Sequence, residues 1–431
     1  MKRTATAIAV LAVLALSGCG GSSSSGGGSS AGTSGHQTIT VWDGYTGAET
    51  TAINALAKQF NASHPNTTVE LQFSGNNDYG LQKVLAAIAG GKPPDISYLY
   101  GSWAPNIATN QRVVTLNSMI ESDPSFDWQD FWPSERSVAT VNGKIVGVPA
   151  LVDNLALVYN KKLFANAGLA TPTAKWTWSD FEQAAVKLTK PASKQFGWAY
   201  VNDGSEDTVW RYWAMLWQAG GSILNSAGNQ AAFDSPAGLK ALELLQRLTR
   251  QHSIYLDNGS DNYRSLFGSG HIGMLWTGPW DLAEIINEKA PYGVQILPGE
   301  ANHQTISGPD NWVMFDNGEA HKKASWEFLK WLTSPPIDLE WATMTGDLPI
   351  RKSVTGLPGY QKFLAKYPGI GTWVANLANA TQARPSITSY PKISTIVGQM
   401  VQSVLLGQSE PKQALSSAAQ QVNAILAVPG A

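Results

Sequence analysis

Apolar and polar positions alternate in two rhythms along most of the chain. Residues 38–42 alternate as a strand, and 43–47 (Asp-Gly-Tyr-Thr-Gly) read as a turn. Residues 49–63 carry apolar side chains at 53, 56, 57 and 60, close to a helical repeat. A strand over 69–73 follows, then a helix over 77–89 that Gly90-Gly91 ends, then a strand over 95–100 after Pro93-Pro94. Strand and helix in strict alternation predict an α/β lobe with a mainly parallel sheet. In such sheets ligands gather beyond the carboxyl ends of the strands. The residues at those ends are Asp43 and Tyr45, Asn76 to Asp78, and Tyr100-Gly101-Ser102-Trp103. Residues 117–130, with Trp128 and Trp132 nearby, predict a helical surface cover.

The stretch 143–169 breaks this rhythm. Ile145, Val146 and Val148 form an apolar run that Pro149 is expected to stop, because proline cannot donate to a sheet ladder. A second β-rich run over 155–159 leads into a short helix over 161–167, closed by Gly168. Between the runs lie Asp153 and Asn154. Polar groups flanked by buried strands have bonds to make, and local Asx turns satisfy the same description.

Helices are then predicted over 177–190, 209–219 and 237–251, the last opened by Ser235 as N-cap with Pro236 at the first position. Trp210, Trp213 and Trp217 share one face and read as mostly core, which leaves Arg211 and Tyr212 to face a cleft. Gly268, Gly270 and Gly273 spell a formal GxGxxG. It follows a helix and leads into a strand over 271–276, the reverse of what a dinucleotide site needs. An extended segment over 292–297, a strand over 312–315, an amphipathic helix over 320–333 stopped by Ser334-Pro335-Pro336, and helices over 399–406 and 410–426 complete the pattern.

The first residues follow other rules. Lys2 and Arg3 precede an apolar run over 7–16 that is too short to span a bilayer, so residues 1–18 read as a signal peptide. Leu16-Ser17-Gly18-Cys19 looks like a bacterial lipobox, in which Cys19 is diacylated and becomes the mature N-terminus. Residues 19–36 would then be a lipidated cysteine on a flexible Gly/Ser tether.

Composition narrows the chemistry. A single Cys excludes an intramolecular disulfide and a cysteine zinc cluster. The six His show no ligand spacing, so no metal is expected. Near-balanced charge without a basic stripe argues against nucleic acid. The 17 Trp suggest aromatic surfaces in clefts as well as cores. No G-x-S-x-G, H-E-x-x-H or P-loop is present; Gly90-Gly91-Lys92 lacks the earlier glycine and the Ser/Thr. Asp43 and Asp153 are the suspects for a glycosidase pair, whose spacing is a three-dimensional quantity. An aromatic, polar cleft without a signature nucleophile fits binding better. The expectation is a protein that is not an enzyme and needs no cofactor.

From about residue 37 to 428 the pieces together resemble family 1 extracellular solute-binding proteins, the receptors of sugar-importing ABC transporters. The resemblance rests on the Val148-Pro149 to Asp153 crossing, Thr177-Trp178-x-x-Phe181, Trp276-Thr277-Gly278-Pro279-Trp280, Ser307 to Trp312, Gly346-x-x-Pro349-x-Arg351 and Ala383-Arg384-Pro385. It implies a two-lobed, periplasmic-binding-protein-like α/β fold with a ligand cleft and several inter-lobe crossings. Lobe 1 would be 37–150 plus about 306–350, and lobe 2 would be 151–305 plus about 351–431. The ligand-binding residues would be Asp43, Tyr45, Asn77, Asp78, Tyr100, Ser102 and Trp103 on the first lobe. Asp153, Asn154, Trp276, Gly278, Trp280, Asn311, Trp312 and Arg384 would complete the set, with Trp276 as the foremost stacking ring. Arginine suits its place because its planar fork satisfies two oxygens at once.

The function so implied is that of a monomeric receptor, anchored outside the cell membrane. It would capture a mono- or oligosaccharide and present it to a permease. Hexose faces suit Trp and Tyr, and hydroxyl rims suit Asp, Asn and Arg. The rival on the same fold binds glycerol 3-phosphate or a glycerophosphodiester. Phosphate wants converging cations or a helix N-terminus, and Arg384 is the one cation the sequence offers. An exported carbohydrate-active enzyme and an adhesion or scaffold lipoprotein are the alternatives from other classes.

Overall fold

The computed structural model describes residues 35–75 and 77–428. The signal peptide, Cys19 and nearly all of the tether lie outside the described residues, as do Asn76 and the side chains of Asn77 and Asp78. The strands in chain order are β1 (Gln37–Asp43), β2 (Thr67–Phe73), β3 (Ile96–Tyr100), β4 (Thr140–Val141), β5 (Lys144–Ile145), β6 (Val148–Leu151), β7 (Ala156–Asn160), β8 (Phe196–Val201), β9 (Ile254–Asp257), β10 (Ile272–Thr277), β11 (Tyr292–Gln295) and β12 (Asp310–Met314).

Two five-stranded sheets carry the fold, ordered β2-β1-β3-β12-β6 and β11-β7-β10-β8-β9. In β1 the alternation places Ile39, Val41 and Asp43 inward. Strands β1, β2 and β3 run parallel, as expected, but β12 and β6 pair antiparallel to their neighbours. The first sheet is therefore mixed rather than mainly parallel. The cause is topological. β12 begins at Asp310 opposite Tyr100, so it starts where β3 ends. The second sheet is mixed as well: β10 runs parallel to β8 and antiparallel to β7.

Pro149 does not stop a strand but lies within β6, opposite Asn311. Because β6 is an edge strand, no further partner needs the missing N–H. Pro335-Pro336 does end the helix Glu319–Leu332, but it also opens the helix Pro335–Thr345, which the sequence reading lacked. Proline is well suited to a first helical turn. The last helices are longer than expected or close to it, Tyr390–Leu405 and Pro411–Leu426.

The chain crosses between the two sheets in adjacent extended segments. Val152 bridges to Leu348, and Asn154 bridges to Ser307. Helix Glu206–Gln218 lies between the second sheet and helices Pro236–Arg250 and Tyr390–Leu405, so nearly all of its residues are buried. Its N-terminus is fixed by the Ser205 hydroxyl, which accepts from the Asp207 N–H at 3.2 Å. The tryptophans serve these cores more than any cleft: eleven of the 17 are buried.

Candidate functional site

Strand ends of both sheets converge on one cavity. From the first sheet come Tyr45, Thr46 and Glu49 after β1, Tyr98 and Tyr100 from β3, and Asp310 from β12. Asp153 enters from the crossing after β6. From the second sheet come Val201 at the end of β8, Glu206, Asp207, Trp210 and Arg211 in the helix after it, and Asp261, Tyr263 and Arg264 after β9. Trp280, Gly308 and Arg384 complete the wall.

Five of the residues expected to bind ligand line this cavity: Tyr45, Tyr100, Asp153, Trp280 and Arg384. Others stand behind it. Trp312 packs edge-on against Tyr45 at 5.8 Å, and Trp103 lies 4.5 Å from Tyr100. Both are 2 % exposed, so they back the lining tyrosines and do not line the cavity themselves. Trp276, the expected stacking ring, is enclosed between Phe181 and Trp198 at 5.3 and 5.2 Å. It does not line this cavity. In β10 alternate side chains face opposite ways, and the turn at Gly278 brings Trp280, four residues on, to the cavity. What Trp276 offers is its carbonyl, which accepts from Arg211 Nε at 3.3 Å.

Asn154 is fully buried. It donates to the Trp373 carbonyl at 2.9 Å and accepts from Asn376 at 2.8 Å, so it ties the crossing together rather than lining the cavity. Asn311 sits against Gly147, and Ser102 is buried outside the lining. Asp43 accepts from the Tyr45 N–H at 3.2 Å and shapes the turn below the site; burial pushes its carboxyl up to about 6. Asn77 and Asp78 open the helix Asn77–Ala89, and their side chains lie outside the described residues. Gly278 is one glycine the site requires, since a Cβ there would fall 1.8 Å from the Trp280 ring.

Aromatic rings and carboxyl groups line the cavity together. Trp210 and Trp280 stand 5.8 Å apart at 43°. The Trp210 indole N–H is buried and has no partner among the described residues. Next to Trp210, Asp153 accepts from the Gly308 N–H at 2.9 Å. A Cβ at Gly308 would come within 2.8 Å of that same oxygen, so only glycine permits this approach. Asp310 accepts from the Tyr98 hydroxyl and from the Gly101 N–H. Burial pushes the carboxyls of Asp153, Asp310 and Glu49 up, and Asp207 up to about 7.

Three guanidinium groups reach the cavity, not one. Arg384 donates to Glu206 at 2.9 Å, and Tyr390 donates to the same oxygen at 2.9 Å. Arg264 lies 2.7 Å from Asp281 and 3.3 Å from Asp261. Arg211 donates to the Asp207 carbonyl at 3.0 Å. The Thr46 hydroxyl joins the walls across the cavity: it donates to Asp261 at 3.2 Å and accepts from Arg264 at 3.2 Å. Away from the lining, Asn106 donates to the Thr388 carbonyl at 3.0 Å.

Sequence reasoning named no second-sheet residue from the strand-end rule, although the rule applies there equally. Asp261, Tyr263 and Arg264 follow β9 as Tyr45 follows β1. Arg351, singled out by its loop, lies elsewhere. It donates to the carbonyls of Phe126 and Asp127 at 2.9 and 3.1 Å and ties its own loop to the turn at 126–127.

The family model for bacterial extracellular solute-binding proteins matches residues 43–338. The sn-glycerol-3-phosphate-binding periplasmic protein UgpB of Pectobacterium atrosepticum is 26 % identical over 417 residues, covering 92 % of this chain and 93 % of that protein. Among solved structures, an ABC transporter solute-binding protein of Thermotoga lettingae bound with α-D-tagatose is 28 % identical, with a TM-score of 0.81 over 90 % of this chain and 100 % of the other. An ABC substrate-binding protein of Listeria monocytogenes in complex with cycloalternan is 26 % identical, with a TM-score of 0.81 over 91 % and 99 % of the two chains.

Proposed function

We propose, from the premise that this chain belongs to the bacterial extracellular solute-binding proteins, that it is the receptor of an ABC importer and captures a saccharide or polyol. The observation that carries this reading is the pairing of the Trp210/Trp280 wall with the Asp153/Asp310 rim in one cavity. Indole faces take up the apolar C–H faces of a sugar ring, and the carboxyl groups accept from its hydroxyls or donate when protonated. The unpartnered Trp210 N–H supplies a donor for a ligand oxygen. Arg384, which also lines the cavity, supplies others.

In this proposal residues 37–150 with 306–350, and 151–305 with 351–431, are the bodies that close on the ligand. A bound ligand touching both favours the closed form by its differential affinity for closed over open. The permease would read that form. Cys19 would carry the lipid anchor and hold the monomeric body outside the cytoplasm on the Gly/Ser tether. The role is capture without turnover.

A second reading on the same fold, a glycerol 3-phosphate or glycerophosphodiester receptor, is favoured by the convergence of Arg211, Arg264 and Arg384 on the cavity. It is favoured also by the likeness to the glycerol-3-phosphate-binding relative. The test is a thermal-shift screen of the body from Gln37 onward. It covers mono-, di- and oligosaccharides, sugar alcohols, glycerol 3-phosphate and glycerophosphocholine. A ligand specific to the native state adds about 2.7 kcal/mol at a hundred times its Kd. A shift with sugars or sugar alcohols is expected; a shift with the phosphorylated compounds alone would replace the first reading by the second.

A further inference from the structure

We infer that Glu206 sets the charge selectivity of the cleft: it neutralises Arg384 from behind, so that the site accepts uncharged hydroxylated ligands and turns away phosphate esters. The inference rests on the receptor reading above and narrows its ligand class.

Glu206 and Arg384 are both enclosed, with side chains 2 % and 7 % exposed. Glu206 receives the Arg384 N–H on one oxygen together with the Tyr390 hydroxyl, and the Ser394 hydroxyl on the other. Tyr390 is itself held by the Trp213 indole N–H at 3.0 Å. The carboxylate is therefore built in from three sides and cannot swing away to release its arginine. The Nη1 of the guanidinium is committed to Glu206; among the described residues the group makes no other hydrogen bond, and Arg384 lines the cavity.

The other two guanidiniums are restrained as well. Arg264 faces Asp281, which is fully buried, and also Asp261. Arg211 is held by two backbone carbonyls. Six carboxyl groups (Glu49, Asp153, Glu206, Asp207, Asp261, Asp310) line the cavity against these three cations. A phosphate ester brings about −1.5 to −2 charge and acceptor oxygens only. It would have to leave water for a cavity where two of the three cations are already ion-paired and carboxyl groups outnumber guanidiniums. A hydroxyl donates as well as accepts, so it satisfies carboxyl and guanidinium groups together. Without the Glu206 charge, Arg384 loses the carboxylate it is bonded to and becomes a buried cation short of compensation, which favours an anion.

The experiment is titration calorimetry on wild type and Glu206→Gln with matched pairs: glucose and glucose 1-phosphate, glycerol and sn-glycerol 3-phosphate, with inorganic phosphate alone as a third probe. Wild type should prefer the uncharged member. Glu206→Gln should move the affinity ratio about tenfold or more toward the phosphorylated member and bind inorganic phosphate in a salt-sensitive way. Tyr390→Phe removes a bond to Glu206 but no charge, and its ratio should match wild type. A folded Glu206→Gln protein with an unchanged ratio overturns the inference. So does a wild-type preference for the phosphorylated members, which needs no variant and leaves the receptor reading intact. Wild-type protein that binds no member of any pair, nor any saccharide or sugar alcohol, removes the receptor reading and the inference together.

Discussion

Two tryptophans four residues apart should fail in opposite ways when truncated. Trp280 lines the cavity beside Trp210, whereas Trp276 is 1 % exposed within the second core. A sugar ring laid on one indole face covers about 60–80 Å² of it, which at about 25 cal/mol per Å² is roughly 1.5–2 kcal/mol. Trp280→Ala should therefore raise Kd about 10- to 30-fold and leave the ligand-free melting temperature nearly unchanged. Trp276→Ala removes a whole indole from between Phe181 and Trp198 and should destabilise the fold by about 3–5 kcal/mol. The assay is titration calorimetry with the ligand found by the thermal-shift screen, alongside urea unfolding of each variant without ligand. Trp280→Ala with wild-type affinity would refute the stacking role. A stable Trp276→Ala protein that has lost binding would show that the buried ring, not the lining one, serves the ligand.

Further perturbations test other parts of the site. Gly278→Ala places a Cβ 1.8 Å from the Trp280 ring, so it should turn that ring aside and weaken binding about as much as Trp280→Ala; equal affinity in the folded variant would count against this. Arg351→Met removes hydrogen bonds to three backbone carbonyls and a buried charge beside Asp338; it should cost about 3 kcal/mol in unfolding with Kd unchanged, as urea denaturation and calorimetry would show. Burial pushes Asp207 and Asp338 up to about 7 and Asp43 and Asp347 to about 6. A carboxyl whose folded pKa is raised binds its proton more tightly in the native state, so stability falls as pH rises from about 4 through 7. The ligand-free melting temperature should be higher at pH 5 than at pH 8, and a rise across that interval would contradict the assignment.

Much of the architecture is legible in local pattern. Alternation in β1 and the helical repeat from Ile53 to Phe60 specify strand and helix through near neighbours alone, and both form as read. Ser235-Pro236 announces its helix by backbone chemistry confined to one turn. The order of motifs from Val148 to Arg384 pointed to the family because order along the chain is a property of the sequence itself. Pairing direction is not local. β12 returns from a crossing and enters the first sheet against the sense of β3, and no residue within Asp310–Met314 encodes that.

The site divides in the same way. Tyr45, Tyr100 and Asp153 lie beyond strand ends or between strands, so sequence position brought them to notice. Choosing Trp280 over Trp276 depends on which way each indole turns after a glycine-permitted bend, and setting Trp103 and Trp312 behind tyrosines depends on packing from other strands. The pairing of Glu206 with Arg384 joins residues 178 positions apart. Composition and local spacing determined the elements and their kind. Only the tertiary structure decided which aromatic rings face the cavity and which charges are already matched, because burial and charge pairing belong to residues that meet in space.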